Sequence, residues 1–344
     1  MRYLDDMRAW VLPEIGDIDT YELTDVPDPT PGTGEVRVHL RASALNHMDI
    51  WVARGKPAPP LPHVPGADGA GIVDAVGEGV SSVSPGDDVV INAALSCDSC
   101  DACDSGEQPL CNSLRIVGEH SWGTHAEFVV VPDDNVLRKP ESLSWPEAAA
   151  FGIASGNALR LLRRARLTQD ETLLVIGFGG GVSSAGLAIA LALGARVWVT
   201  TLDRAKGERA VELGAQAWFD ASGPFDEQMR TATGGRGADV VFDNVGPATW
   251  ERAMRALARG GRLATCGGTS GQEVTLNLPL LFWRHLEIVG SSAQSRREFA
   301  DATELVASGR APIQIDSVHT FDAYPVALQR LAEGGQLGKI VLDR

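Results

Sequence analysis

Basic charge is scarce in this 344-residue chain, and lysine is scarcer still. Lys and Arg together number 30 against 45 Asp and Glu, a formal net charge of −15. Lysine stands only at positions 56, 139, 206 and 339. So acidic a chain repels phosphate backbones and anionic headgroups, which excludes nucleic acid and membrane surfaces as partners. Also missing is any apolar run approaching the roughly 20 residues of a bilayer-spanning helix. The stretch Met1–Val11 carries Asp5 and Asp6 and lacks the apolar centre of a secretory signal. The sequence therefore predicts a cytoplasmic protein, with residues 1–6 a short extension ahead of the strand-like run Ala9-Trp10-Val11-Leu12. There are no internal repeats and no low-complexity linker. What remains, 44% hydrophobic and 22% charged residues, is the mix of a globular chain long enough for two domains.

Cysteine is almost confined to one stretch. Cys97, Cys100, Cys103 and Cys111 are spaced C-x2-C-x2-C-x7-C, and Cys266 stands alone. In an intracellular chain such clustering reads as metal binding before disulfide formation. An iron–sulfur cluster of the ferredoxin kind would want C-x2-C-x2-C-x3-C. Four thiolates at about 2.3 Å complete a tetrahedral zinc. A loop this short has little core, so a bound metal supplies its folding energy. With all four positions taken by sulfur the site is closed to substrate. One structural zinc per chain is expected.

Texture divides the rest. Up to about residue 145, alternating runs such as Val36-Arg37-Val38-His39-Leu40 and Glu127-Phe128-Val129-Val130-Val131 lie between Gly/Pro turns, which predicts a β domain. Prolines at 57, 59, 60, 62 and 65 exclude helix and central strand from one long segment. Trp145–Arg166 has helical period. Strands are then expected at Thr172–Ile176, Arg196–Thr201, Ala217–Phe219, Asp239–Phe242, Arg262–Thr265 and Leu286–Val289. Helices are expected at Ala185–Leu193 and Lys206–Leu213. Such alternation predicts a doubly wound parallel sheet. From about residue 295 the expected order is helix, helix, strand, ending in Lys339-Ile340-Val341-Leu342.

Between the first of these strands and its helix runs Gly177-Phe178-Gly179-Gly180-Gly181-Val182-Ser183. Glycines there let backbone approach a pyrophosphate, and a helix N-terminus offers unpaired N–H groups. Gly177, Gly180, Gly181, Val182 and Ser183 are therefore expected at a dinucleotide. The second strand ends at Thr201, a neutral residue, with Arg204 and Lys206 just beyond. That favours NADP(H) over NAD(H), which wants a carboxylate at the strand tip; a one-residue slip would put Asp203 there instead.

Taken in order, Gly66-Ala67-Asp68-Gly69-Ala70-Gly71, the cysteine lobe, the glycine turn, Cys266-Gly267-Gly268-Thr269-Ser270-Gly271 and Gly338-Lys339-Ile340-Val341-Leu342 resemble the medium-chain dehydrogenase/reductase superfamily. The resemblance implies an α/β chain with a GroES-like β-barrel domain (1–150, zinc lobe about 95–112), a Rossmann domain (151–292) and a return to the first domain (293–344). It implies a small-molecule substrate in an interdomain cleft and a homodimer or homotetramer built on the sheet edge at Leu286–Ser292. It places Asn244, Gly267, Gly268 and Lys339 at the cofactor, Lys339 on a phosphate.

Alcohol dehydrogenases of that superfamily hold a catalytic zinc at three positions that here look like Asn46, Ala67 and Phe151. None supplies the expected ligand, and Met48 falls where a hydroxyl would relay a proton. The run Leu45-Asn46-His47-Met48-Asp49 instead resembles the zinc-free quinone oxidoreductase and enoyl reductase branches. Hydride addition to an activated C=C bond is the implied reaction. Candidate site residues are Asn46, His47, Asp49 and Asp68, with His120; Asp49 and Asp68 are expected to brace the site rather than react. His120 and His125 flank Gly123 in a segment that reads as an exposed loop. Two other readings stay open: an alcohol or polyol dehydrogenase with a rearranged metal on Asp68, His47 or His63, and a non-catalytic cofactor-binding protein.

Overall fold

A computed structural model describes residues 6–344, so the expected extension at 1–6 lies almost wholly outside the described residues. The chain forms two compact units. One runs to Ile153 and regains Gln294–Ala307 and Ile315–Arg344; the other comprises Ala154–Ala293 and Ser308–Gln314.

The first unit is built on a mostly antiparallel sheet. In spatial order its strands are Ile315–Thr320, Lys339–Asp343, Glu35–Ala44, Asp68–Val76, Asp88–Ile91 and Val136–Arg138, with Phe128–Pro132 also paired to Glu35–His39. The strand Glu35–Ala44 shows why the sequence folds this way. Val36, Val38, Leu40 and Ala42 point to one buried face at period two, while the residues between them are more exposed. Its aliphatic core gathers Val36, Val38, Leu40, Val89, Ile91, Val129 and Val131. A second core, around Trp10, Tyr21 and Tyr324, receives Ile50 and Val52 from the helix His47–Ala53 and so anchors that helix from below.

The second unit carries six parallel strands. In space they run Ala217–Asp220, Arg196–Thr201, Thr172–Val175, Ala238–Asp243, Leu257–Thr265 and Glu287–Gly290. Numbered along the chain this is 3-2-1-4-5-6, the Rossmann order, whose switch point lies beside the first strand. The strands Thr172–Val175 and Ala238–Asp243 are buried throughout, as parallel strands covered on both faces must be.

Several boundaries differ from expectation. The helix after the glycine turn begins at Gly181 rather than Ala185: Gly180 is its N-cap, and Gly181-Val182-Ser183-Ser184 form its first turn. Trp145–Arg166 is two helices, Trp145–Ala150 and Gly152–Arg164. The tail contains an extra strand, Ile315–Thr320, whose burial is intermediate or exposed along its length and so leaves no alternating signal to read.

Candidate active site

Asn46, His47 and Met48 are half-buried at the start of the helix His47–Ala53, between fully covered neighbours. Asn46 is the N-cap, and its backbone N–H donates to Asp49 Oδ2 at 2.9 Å. The same Asp49 oxygen lies 3.5 Å from His125 Nε2, and His125 Nδ1 is 3.0 Å from Ser43 Oγ. Ser43, Asp49 and His125 are all completely buried. His125 also packs its ring 4.9 Å from Tyr324. The expectation of an exposed loop at His125 is thus wrong: its ring is a core group that braces the start of the helix. His120 is on the surface as read, its Nδ1 accepting from the Ile116 backbone at 3.1 Å.

Asp68 begins a central strand and is fully buried. Lys339, also the first residue of a strand, is 3% exposed and donates to Asp68 Oδ2 at 2.8 Å and to Asn46 Oδ1 at 2.6 Å. Asn46 Nδ2 donates to Asp68 Oδ2 at 3.0 Å, and the Ile153 backbone N–H donates to Asp68 Oδ1 at 2.7 Å. The three side chains form a closed triangle in which each polar contact joins a donor to an acceptor. Lys339 was expected at a cofactor phosphate. Its structural partner is a carboxylate inside the first unit, because a buried ammonium must be neutralised close by.

His47 lies 6.2 Å, ring to ring, from Trp51. Burial holds its pKa below the ordinary imidazole value; Asp49 opposes that shift and the Lys339 charge reinforces it. The ring is therefore neutral near pH 7.

The positions that would ligate a catalytic metal do not fit one. Ala67 and Phe151 are buried carbon, and Phe151 stacks on Phe299 at 5.7 Å. Asp68 is already committed to Lys339, Asn46 and Ile153. His63 is fully buried, its Nε2 3.0 Å from the Gly118 carbonyl. Among the described residues, the four cysteines alone bring three or more His, Cys, Asp or Glu ligand atoms around one point. Their sulfurs are 3.5 to 3.9 Å apart along three edges. Tetrahedral bonds of about 2.3 Å put ligand sulfurs about 3.8 Å apart, so the donor set fits a metal ion and not a disulfide.

The glycine turn fits a dinucleotide. Gly177 and Gly179 have φ of 71° and 141°, beyond ordinary reach of residues with a Cβ. A Cβ at Gly179 would come within 2.9 Å of Lys206 Cδ and 3.3 Å of its Nζ, so the lysine lies along the turn. Gly180 caps the helix, and a side chain there would meet almost nothing, leaving the approach open. The amides of Gly181, Val182 and Ser183 begin that helix, where no intrahelical acceptor precedes them. The Ser183 hydroxyl is absorbed locally: it accepts from Gly179 N at 3.2 Å and donates to Gly180 O at 3.1 Å. Close helix-to-strand packing comes from Gly186, where a Cβ would sit 3.2 Å from the Phe242 ring.

Thr201 ends its strand, as read, and its Oγ1 accepts from Asp203 N at 3.2 Å. Asp203 caps the next helix, its Oδ1 accepting from Ala205 N at 2.8 Å and Lys206 N at 3.3 Å. Arg204 pairs with Glu208 at 2.7 Å on the solvent side. Asn244 follows the strand Ala238–Asp243, and its Oδ1 is buried without a partner, 3.7 Å from a Cβ built on Gly177. Gly267 and Gly268 turn beside it; a Cβ at Gly268 would strike the Gly271 carbonyl at 2.3 Å. Cys266 is half-buried, and burial with the neighbouring Asp243 charge pushes its thiol up to about 12, so it is no nucleophile.

A Rossmann sheet with an open glycine turn, joined in one chain to a β unit with a polar cluster, defines a nucleotide-dependent oxidoreductase class. The family model for the alcohol dehydrogenase GroES-like domain matches residues 32–141, and that for the zinc-binding dehydrogenase matches residues 181–308. The chain is 32% identical to acryloyl-coenzyme A reductase of Metallosphaera sedula over 94% of its length and 96% of the relative's. It is 30% identical to crotonyl-CoA reductase of Streptomyces avermitilis over 93% of its length and 82% of that protein's. A crystal structure of an NAD-dependent alcohol dehydrogenase is similar at 41% identity and TM-score 0.95, covering 98% of this chain and 100% of that one. The chain belongs to the medium-chain dehydrogenase/reductase superfamily.

Proposed function

We propose that this protein reduces a C=C bond conjugated to a carbonyl, in an enoyl thioester, enone or quinone, at the expense of NADPH. The observation that carries the reading is the Asp68–Lys339–Asn46 triangle. It fills with an internal ion pair the region where alcohol dehydrogenases of the superfamily gather metal ligands. The acryloyl- and crotonyl-coenzyme A reductases among its relatives support an enoyl thioester.

NADPH held at the glycine turn would supply a hydride for the β-carbon of the substrate. The C=C electron pair moves toward the carbonyl oxygen, giving an enolate, and water protonates the α-carbon. The enolate spreads its charge, so a hydrogen-bond donor suffices where a simple ketone wants a Lewis acid. Asn46 is the donor in this reading. Asp49, braced by His125, holds Asn46 in place, and Asp68 holds its amide.

On the cofactor side, Gly177, Gly180, Gly181, Val182 and Ser183 receive the pyrophosphate, and Asn244 Oδ1, buried and unpartnered, accepts from a ribose hydroxyl. Lys206 meets the 2′-phosphate beside the neutral Thr201. NADP(H) is favoured because Asp203 is engaged as a helix cap. Gly267 and Gly268 present backbone to the carboxamide. The cysteine lobe holds one structural zinc. The protein works in the cytoplasm as a homodimer or homotetramer through the edge strand Glu287–Gly290, beside which Phe282 and Trp283 are 57% and 69% exposed.

A second reading, an NAD-dependent alcohol dehydrogenase, is favoured by the 41% identical structure. Zinc per chain, measured beside NADPH oxidation with crotonyl-CoA and 2-cyclohexen-1-one, separates the two. One tightly held zinc with enone turnover and no alcohol oxidation supports the reductase. Two zincs, with alcohol oxidation lost as the second leaves, overturn it.

A further inference from the structure

We propose that Lys339 is a positioning residue for the reduction, acting through Asn46: it fixes and polarises the amide whose remaining N–H meets the substrate oxygen. The inference rests on the reductase reading above.

The chemistry of the triangle leaves the Asn46 amide one orientation. An ammonium can only donate, so Lys339 must face Oδ1; a carboxylate can only accept, so Asp68 must face Nδ2. Exchange of the amide oxygen and nitrogen would set two donors against each other at 2.6 Å and two acceptors at 3.0 Å. One Nδ2–H is spent on Asp68. The other reaches the Ala44 carbonyl only at 3.5 Å, a long hydrogen bond at the edge of reach that a closer acceptor would displace. Asn46 is the outer member of the cluster, half-buried while Lys339 and Asp68 are covered, so its amide is the group a substrate oxygen would meet. An ammonium on the amide oxygen draws electron density from the nitrogen and strengthens the N–H as a donor, as in any hydrogen-bonded chain. The Lys339 ammonium, with the Asp68 carboxylate as its counter-ion, thus sits one amide behind the place where negative charge develops. No reorganisation is needed when it appears, because Asp49 also pins the Asn46 backbone.

The test is steady-state kinetics with NADPH and crotonyl-CoA, beside NADPH dissociation constants from nicotinamide fluorescence, for Lys339→Met, Lys339→Arg, Asn46→Ala and Asn46→Ala/Lys339→Met. Lys339→Met is expected to lower kcat by about 10²-fold, the scale of losing one preorganised donor. NADPH dissociation should stay within about twofold. Lys339→Arg, which still donates, should recover about tenfold of the loss, and the double variant should be no slower than Asn46→Ala. Where Lys339→Met does not fold, Asp68→Asn/Lys339→Met removes both buried charges and replaces it. Weaker NADPH binding with kcat intact would return Lys339 to a phosphate and overturn the inference, as would effects of Asn46→Ala and Lys339→Met that multiply. Wild-type protein that turns over no enoyl substrate overturns the reductase reading itself, a result distinct from either.

Discussion

Replacing Lys339 by Met while Asp68 remains leaves a fully buried carboxylate without its counter-ion. Removing one partner of a buried pair costs about 3–5 kcal/mol. Asp68 keeps two donors, Asn46 Nδ2 and the Ile153 amide, so the low end, about 3 kcal/mol, applies. In a unit of this size each kcal/mol moves the melting point by about 2–4 °C, which gives a drop of about 6–12 °C. Asp68→Asn alone strands the 3%-exposed ammonium and should cost a similar amount. Both changes together should restore stability to within about 1 kcal/mol of wild type, because the desolvation cost of two charges disappears with their attraction. Scanning calorimetry of the four proteins closes the cycle. A shift below about 2 °C for Lys339→Met, or single-variant losses that simply add in the double variant, would refute the claim of a desolvated pair.

Cys103→Ser should abolish tight zinc binding, seen by elemental analysis, and open the segment 97–111 to proteolysis; an uncleaved lobe that still holds metal would count against a structural site. Lys206→Glu should weaken NADPH by about 10–100-fold with NADH much less affected, the scale of a lost charge-assisted contact, measured by comparing KM values for the two cofactors. Burial lowers the pKa of His47 and of His63. Their folded values lie below the unfolded value of about 6.5, so the native state binds fewer protons. Stability should be full above about pH 6.5 and fall as pH drops below it, before the carboxylates titrate. Equal urea midpoints at pH 7.5 and 5.5 would exclude this. Ile288→Lys on the edge strand should shift sedimentation toward monomer without changing the far-ultraviolet spectrum.

Local pattern determined much of this protein. Period two in Val36–Leu40 and continuous burial in Thr172–Val175 set which strands face one core and which are covered on both sides, so β unit and parallel sheet were both legible. The four cysteines and the glycine turn were legible because their chemistry depends on neighbours a few residues away. The strand Ile315–Thr320 was not, since it is half-exposed and has no alternation to show. Nor was the true place of His125, which reads as loop among glycines yet lies between Ser43 and Asp49, 82 residues from the serine.

Lys339 shows where sequence stops. Its spacing from the last glycine says that it begins a strand; it says nothing of the carboxylate 271 residues earlier. That pairing follows from antiparallel register, which sets Val341 opposite Ala44 and Ala44 opposite Asp68 and brings three distant strands together at one buried point. There the desolvation of a single ammonium demands a single carboxylate. Residue types thus determined that no metal ligands stood at Ala67 and Phe151. Only the tertiary structure decided what charge stands in that region and which way it turns Asn46.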